Sequence, residues 1–116
     1  MEAQIFGTKK SAATRAALRF FAERRIRTHF VDFAVRGPSR GELQRYVQKF
    51  GVEALIDRES KRFKQLGWGA ARYSLETWVE KLVLEPDTLR IPLVRFGNRL
   101  SIGDAAVDWK GWLADS

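Results

Sequence analysis

Apolar spacing divides the chain into a strand-helix-strand opening, a helical middle and a strand-strand-helix close. Ala3 to Phe6 makes a short strand candidate. From Ser11 the period changes: Ala13, Ala16, Ala17, Phe20 and Phe21 fall on one helical face, with Arg15, Arg19 and Arg24 largely off it. Ser11 is the candidate N-cap, and the alanines favour a helix continuing to about Arg24. Arg27 to Phe33, rich in β-branched and aromatic residues with partial alternation, predicts a second strand. A strand, a helix and a strand in so few residues form a βαβ unit, which implies a parallel pair and a right-handed crossover.

Gly37-Pro38-Ser39 breaks the chain, and Ser39 with Glu42 has the spacing of a capping box. Leu43, Tyr46, Val47 and Phe50 supply the apolar face of the helix that follows, and Gly51 ends it. Val52 to Leu66 reads as short helical pieces, interrupted by Gly67-Trp68-Gly69. Ser74 to Leu84 predicts another amphipathic helix through Leu75, Trp78, Val79 and Leu82, and Pro86 stops it. Pro92 to Phe96 and Arg99 to Ile102 flank Gly97-Asn98, which predicts an antiparallel hairpin on a two-residue turn. Asp104 to Leu113 closes as a helix with Val107, Trp109, Trp112 and Leu113 as packing residues. Together with Trp68 and Trp78, the two late tryptophans are expected to pack rather than to form a binding surface.

At 116 residues and 45% hydrophobic composition the chain is expected to be one domain, residues 1–116, able to bury a core unaided. It contains no cysteine, which excludes disulfides, thiolate chemistry and cysteine-ligated metals by the chain itself. Apolar runs are too short to span a bilayer, and Met1 to Lys10 lacks a secretory h-region, so a cytoplasmic protein without membrane attachment is expected. The net charge of +7 sits in the first half: residues 1 to 50 hold 11 Lys/Arg against 4 Asp/Glu, the remainder 10 against 10. Such asymmetry means either a polyanionic partner, nucleic acid included, or a solvated basic face. No nucleic-acid-binding motif separates the two.

The element order, with Arg15 before a helix, Gly-Pro-Ser-Arg-Gly-Glu-Leu from Gly37, Gly-Val-Glu-Ala-Leu-Ile from Gly51, Phe-Lys-Gln-Leu from Phe63, Leu-Arg-Ile-Pro-Leu-Val from Leu89 and Gly-Asn-Arg-Leu-Ser-Ile-Gly from Gly97, resembles the arsenate reductase (ArsC) and Spx family. The resemblance runs from Ile5 to about Trp112. It implies an α/β, thioredoxin-like fold: a mixed four-stranded sheet, βαβ then ββα, with a helical insertion at about residues 39–90. It also implies a cis Ile91-Pro92 bond beside the first loop, with Pro92 in a structural role.

In that family the first loop carries a cysteine with an arginine four residues on, and some members add a second cysteine three residues after the first. Counted from Arg15, Ser11 stands at the first position and Thr14 at the second. A helix N-terminus and a guanidinium can ionise a thiol near neutral pH, whereas an alcohol is far too weak an acid and forms no disulfide. A serine nucleophile needs an adjacent base, and no motif links the only histidine, His29, to Ser11. The arginine that the family places before the proline is Ile91 here; Arg58 lies one residue from another family arginine position, and whether it substitutes is open. Arg99 matches the hairpin arginine. Ser11, Arg15, Arg99, Lys9 and Lys10 are therefore the candidates for binding an oxyanion, with no catalytic residue, metal or cofactor expected.

Three functions follow as expectations. The first is a non-catalytic binding or regulatory protein, with an oxyanion ligand at the first loop or a protein partner. RNA polymerase enters as that partner because Gly51 matches a glycine that Spx-like relatives use in contacting it. The second is an arsenate reductase-like enzyme using an external thiol, glutathione or glutaredoxin. The third is direct nucleic-acid binding through the basic half.

Overall fold

The structure is a computed structural model that describes residues 2–114. Backbone contacts divide the chain into two compact units, one formed by the chain up to Val35 together with that from Ile91 onward, the other by Arg36–Arg90.

The first unit holds strands β1 (Glu2–Gly7), β2 (Arg27–Asp32), β3 (Leu93–Phe96) and β4 (Arg99–Ile102) with helices α1 (Ala12–Glu23) and α5 (Ala106–Ala114). Its sheet has the order β2-β1-β3-β4, with β1 parallel to β2 and β3 antiparallel to both neighbours. Strand side chains alternate between faces, so Ala3 and Ile5 of β1 and Val94 and Phe96 of β3 share one face. They form a buried cluster with Ala17, Phe20 and Phe21 of α1 and Trp109 of α5. The Trp109 ring lies 5.5 Å from that of Phe20 and 5.8 Å from that of Phe21. Its indole N–H donates to the Ser101 hydroxyl at 2.9 Å, giving a buried polar tip its partner. Trp112 stacks on Phe96. At the far end of α1, Arg25 takes a left-handed φ of 58° and the Ile26 N–H returns to the Phe21 carbonyl, which turns the chain into β2.

The second unit carries α2 (Arg40–Phe50), α3 (Lys61–Leu66) and α4 (Leu75–Leu84), separated by single 3-10 turns. Ser39, Ser60 and Ser74 cap the three helices, and Ser39 with Glu42 closes a full capping box. Gly51 ends α2 at φ +82° and Gly67 ends α3 at φ +69°, conformations that favour glycine. Phe63, Trp68, Trp78 and Tyr73 meet edge to face in series, so Trp68 and Trp78 are packing residues.

Three expected packing residues stand outside the core. Val107 is 84% exposed, because it lies two positions from the buried Trp109 and so on the opposite side of α5. Leu75 and Phe50 are 51% and 39% exposed at the first position of α4 and the last of α2, where the packed faces run out. On α1, Thr14 is fully buried while Ala13 and Ala16 are half-buried, so the inward face is rotated from the expected one. Helix α5 starts at Ala106 rather than Asp104: Gly103 has φ 75° and the Asp104 carboxylate accepts from the Ala106 N–H, making residues 103–105 a turn.

Candidate functional site

The loop between β1 and α1 is built by its own backbone. Phe33 N–H donates to the Gly7 carbonyl at 2.8 Å and holds the strand end, and Ser11 N–H donates to the Thr8 carbonyl at 3.1 Å, closing a turn. Ser11 is extended at φ −82°, and its hydroxyl accepts from the Thr14 N–H at 3.1 Å: this candidate oxyanion ligand is the helix cap. Arg15, one turn on, folds its guanidinium back to donate to the Lys9 carbonyl at 2.6 Å. Lys9 and Lys10 are exposed beside it. Thr14 points inward, fully buried, and its hydroxyl has no hydrogen-bond partner among the described residues.

Ser11, Arg15, Lys9 and Lys10 are thus gathered on one loop, and Arg99 is not among them. The sheet register sets Arg99 opposite Phe96, and Phe96 opposite Ala3, at the end of β1 away from Gly7. Four residues of strand, roughly 13 Å, separate those two rows. The Arg99 guanidinium donates instead to the Trp112 carbonyl at 3.0 Å. The β4 residue at the loop end is Ile102, in the row of Leu93 and Phe6. Part of this was readable in advance, since a two-residue turn at Gly97-Asn98 forces Phe96 against Arg99 and Leu93 against Ile102. The pairing of β3 with β1, which decides which end faces the loop, is long-range and left no local signal.

Pro92 is buried, and the Ile91-Pro92 bond is cis. It immediately precedes Leu93, so it lies at the loop end of the sheet. A carboxylate that the sequence reading passed over also stands there: Asp32, paired with Gly7, accepts from the Ala34 N–H at 3.0 Å. His29 sits opposite Gln4, three rows from Gly7 and roughly 10 Å along the strand, too far to serve as a base for Ser11. Arg58 is engaged inside the second unit, ion-paired with Glu53 and set over the Phe63 ring.

Perturbed carboxylates occur in the second unit. Burial raises the Glu42 pKa, but the Arg36 hydrogen bond, the Ser39 N–H and the Arg36 charge outweigh it and hold the carboxyl below the ordinary glutamate value. Hydrogen bonding to Arg62 lowers Glu85 in the same sense. Both are cap or ion-pair groups. Among the described residues no three His, Asp or Glu side chains gather as a metal site, and no helix is long and apolar enough to cross a membrane.

A β2-β1-β3-β4 mixed sheet with a cis-proline at the head of β3 and helices inserted between its halves defines a thioredoxin-like protein of the arsenate reductase type. The chain belongs to the ArsC family, whose model matches residues 6–111. Among solved structures, the YffB protein superposes with a TM-score of 0.84 at 19% identity, covering 94% of this chain and 96% of its own. The arsenate reductase from Vibrio cholerae gives 0.77 at 21% identity, covering 88% and 89%. An arsenate reductase (ArsC) related protein from Brucella melitensis gives 0.68 at 18%, covering 97% and 95%. A search of curated proteins finds no match.

Proposed function

We propose that this ArsC-family protein binds rather than reduces, and that the β1–α1 loop is a weak site for a small oxyanion. The observation that carries this reading is the state of Ser11: its hydroxyl is occupied as the α1 cap, with no histidine in reach and no cysteine in the chain. Alcohol in place of thiolate removes the nucleophile that arsenate reduction requires. What remains suits an anion held by charge and backbone. The first-turn amides of Ala12 and Ala13 have no carbonyl to pair with inside the helix, and Lys9 and Lys10 stand exposed next to them. Arg15 retains donors beyond the one used on Lys9. Asp32 at the same end, and the absence of Arg99 from it, keep the site weak.

Gly51 has its own backbone reason to be glycine, so its match to a polymerase-contacting residue adds little to that partner. The test of the binding reading pairs two measurements on the native chain. Titration with sulfate and arsenate is expected to shift the amide resonances of Ala12 and Ala13, and Lys9→Glu with Lys10→Glu is expected to abolish those shifts. Arsenate reduction with glutathione or glutaredoxin is expected to stay at background; turnover above it would overturn the reading.

A further inference from the structure

The cations from Lys9 to Arg27 differ from the ion-paired ones of the second unit in what they touch. From Lys9 to Arg27 there are seven Lys/Arg, all exposed, against the single carboxylate of Glu23. None of the seven takes part in an ion pair among the described residues, whereas the five ion pairs found there all lie within Arg36–Arg90. On α1 three of these cations, Lys9, Arg15 and Arg19, border a shallow groove of about 400 Å³ that Leu18 and Ala22 also line. Arg15, Leu18, Arg19 and Ala22 recur at three- and four-residue spacing, so they form one continuous stripe along the helix. Leu18 is half-buried against the core, and Ala22 is exposed one turn beyond it, so the floor is apolar and the rim cationic.

We infer that this face of α1 is a docking surface for an acidic peptide segment carrying an apolar anchor. Unneutralised positive charge selects a negative partner and speeds its encounter. The apolar floor selects a peptide over nucleic acid. Phosphates would be met by the rim alone, and no aromatic side chain lines the groove on which a base could stack. Leu18 and Ala22 instead offer the anchor point of a segment laid along a helix. Arg15 is already fixed to the Lys9 carbonyl, which lowers the entropy lost when a carboxylate joins it.

The test uses fluorescence anisotropy with a labelled peptide in which leucines at helical spacing are set among glutamates. It is expected to bind about tenfold more tightly than an oligoglutamate of equal charge. Arg19→Glu and Ala22→Glu, both at exposed positions outside the oxyanion loop, are each expected to weaken it about tenfold, while Lys61→Glu, the same charge change as Arg19→Glu made in the second unit, leaves it unchanged. Equal binding of the oligoglutamate, tighter binding of a single-stranded oligonucleotide, or undiminished binding by Arg19→Glu would each overturn the inference. Since neither Arg19 nor Ala22 belongs to the oxyanion loop, failure here leaves that reading standing, and the reverse also holds.

Discussion

Gly7 and Thr14 are in contact across the start of the site: a β-carbon on Gly7 would lie 2.4 Å from the Thr14 hydroxyl oxygen and 2.9 Å from its methyl group. The strand end and the first turn of α1 approach so closely only because one of them has no side chain. Gly7→Ala is therefore expected to destabilise the protein by roughly 1–3 kcal/mol through overpacking. In a Thr14→Ala background the same change should cost less, with a coupling of about 1 kcal/mol. Urea denaturation of the four variants in the cycle checks this, and an equal loss in both backgrounds would refute the contact.

The same hydroxyl is buried and has no partner among the described residues. A buried oxygen without a hydrogen bond contributes a desolvation penalty and nothing to offset it. Thr14→Val keeps the shape and is expected to leave stability unchanged or raise it by about 1 kcal/mol. Thermal melting is the readout; a fall in Tm would mean the hydroxyl is satisfied.

Trp109 and Ser101 form the opposite case, a buried donor and acceptor that satisfy each other at 2.9 Å. Ser101→Ala would strand the indole N–H in the core and is expected to cost about 1–3 kcal/mol, more than a surface serine would. Guanidinium unfolding followed by tryptophan fluorescence measures it, and a loss no greater than that of an exposed serine control would count against the bond.

Glu42 and Glu85 give the acid side of the stability curve. Their folded pKa values are depressed, so their contribution is present at pH values above the ordinary glutamate pKa and is lost as pH falls through the lowered folded values. Glu42→Gln retains an acceptor for the Ser39 N–H and removes the charge that Arg36 meets. The difference between native and Glu42→Gln proteins should be small at neutral pH, about 0.5 kcal/mol, and vanish in acid. Stability measured across that range in low and high salt decides it; a difference that grows on acidification has the wrong sign.

Much of the fold was legible because its signals are local. Ser39 with Glu42, the Gly97-Asn98 turn and the period change at Ser11 each fix an element from a few neighbouring residues. The expected core failed where it rested on end positions and on residues such as Val107, whose side depends on which way a short helix turns. For the site, the loop membership of Ser11, Arg15, Lys9 and Lys10 followed from chain adjacency. The position of Arg99 did not, because it depends on β3 pairing with β1 across most of the sequence.

That displacement makes Ser11→Cys informative. A cysteine at this position would stand at the N-terminus of a twelve-residue helix, one turn from Arg15, and both features favour the thiolate. Its pKa is expected to fall below the ordinary value of about 8.5, read from thiolate absorbance against pH. Arsenate reduction requires more than the nucleophile, since the oxyanion must be held while it is attacked. With Ile102 rather than Arg99 at the loop end of β4 and Thr14 facing Gly7, the variant lacks a second guanidinium from the hairpin and a solvent-facing position for a second thiol. The expected outcome is a reactive thiol that alkylates rapidly near neutral pH yet turns over no arsenate with glutathione. Robust turnover by Ser11→Cys alone would show that Lys9, Lys10 and Arg15 are sufficient to hold the substrate, and that the serine is the one feature separating this chain from a reductase.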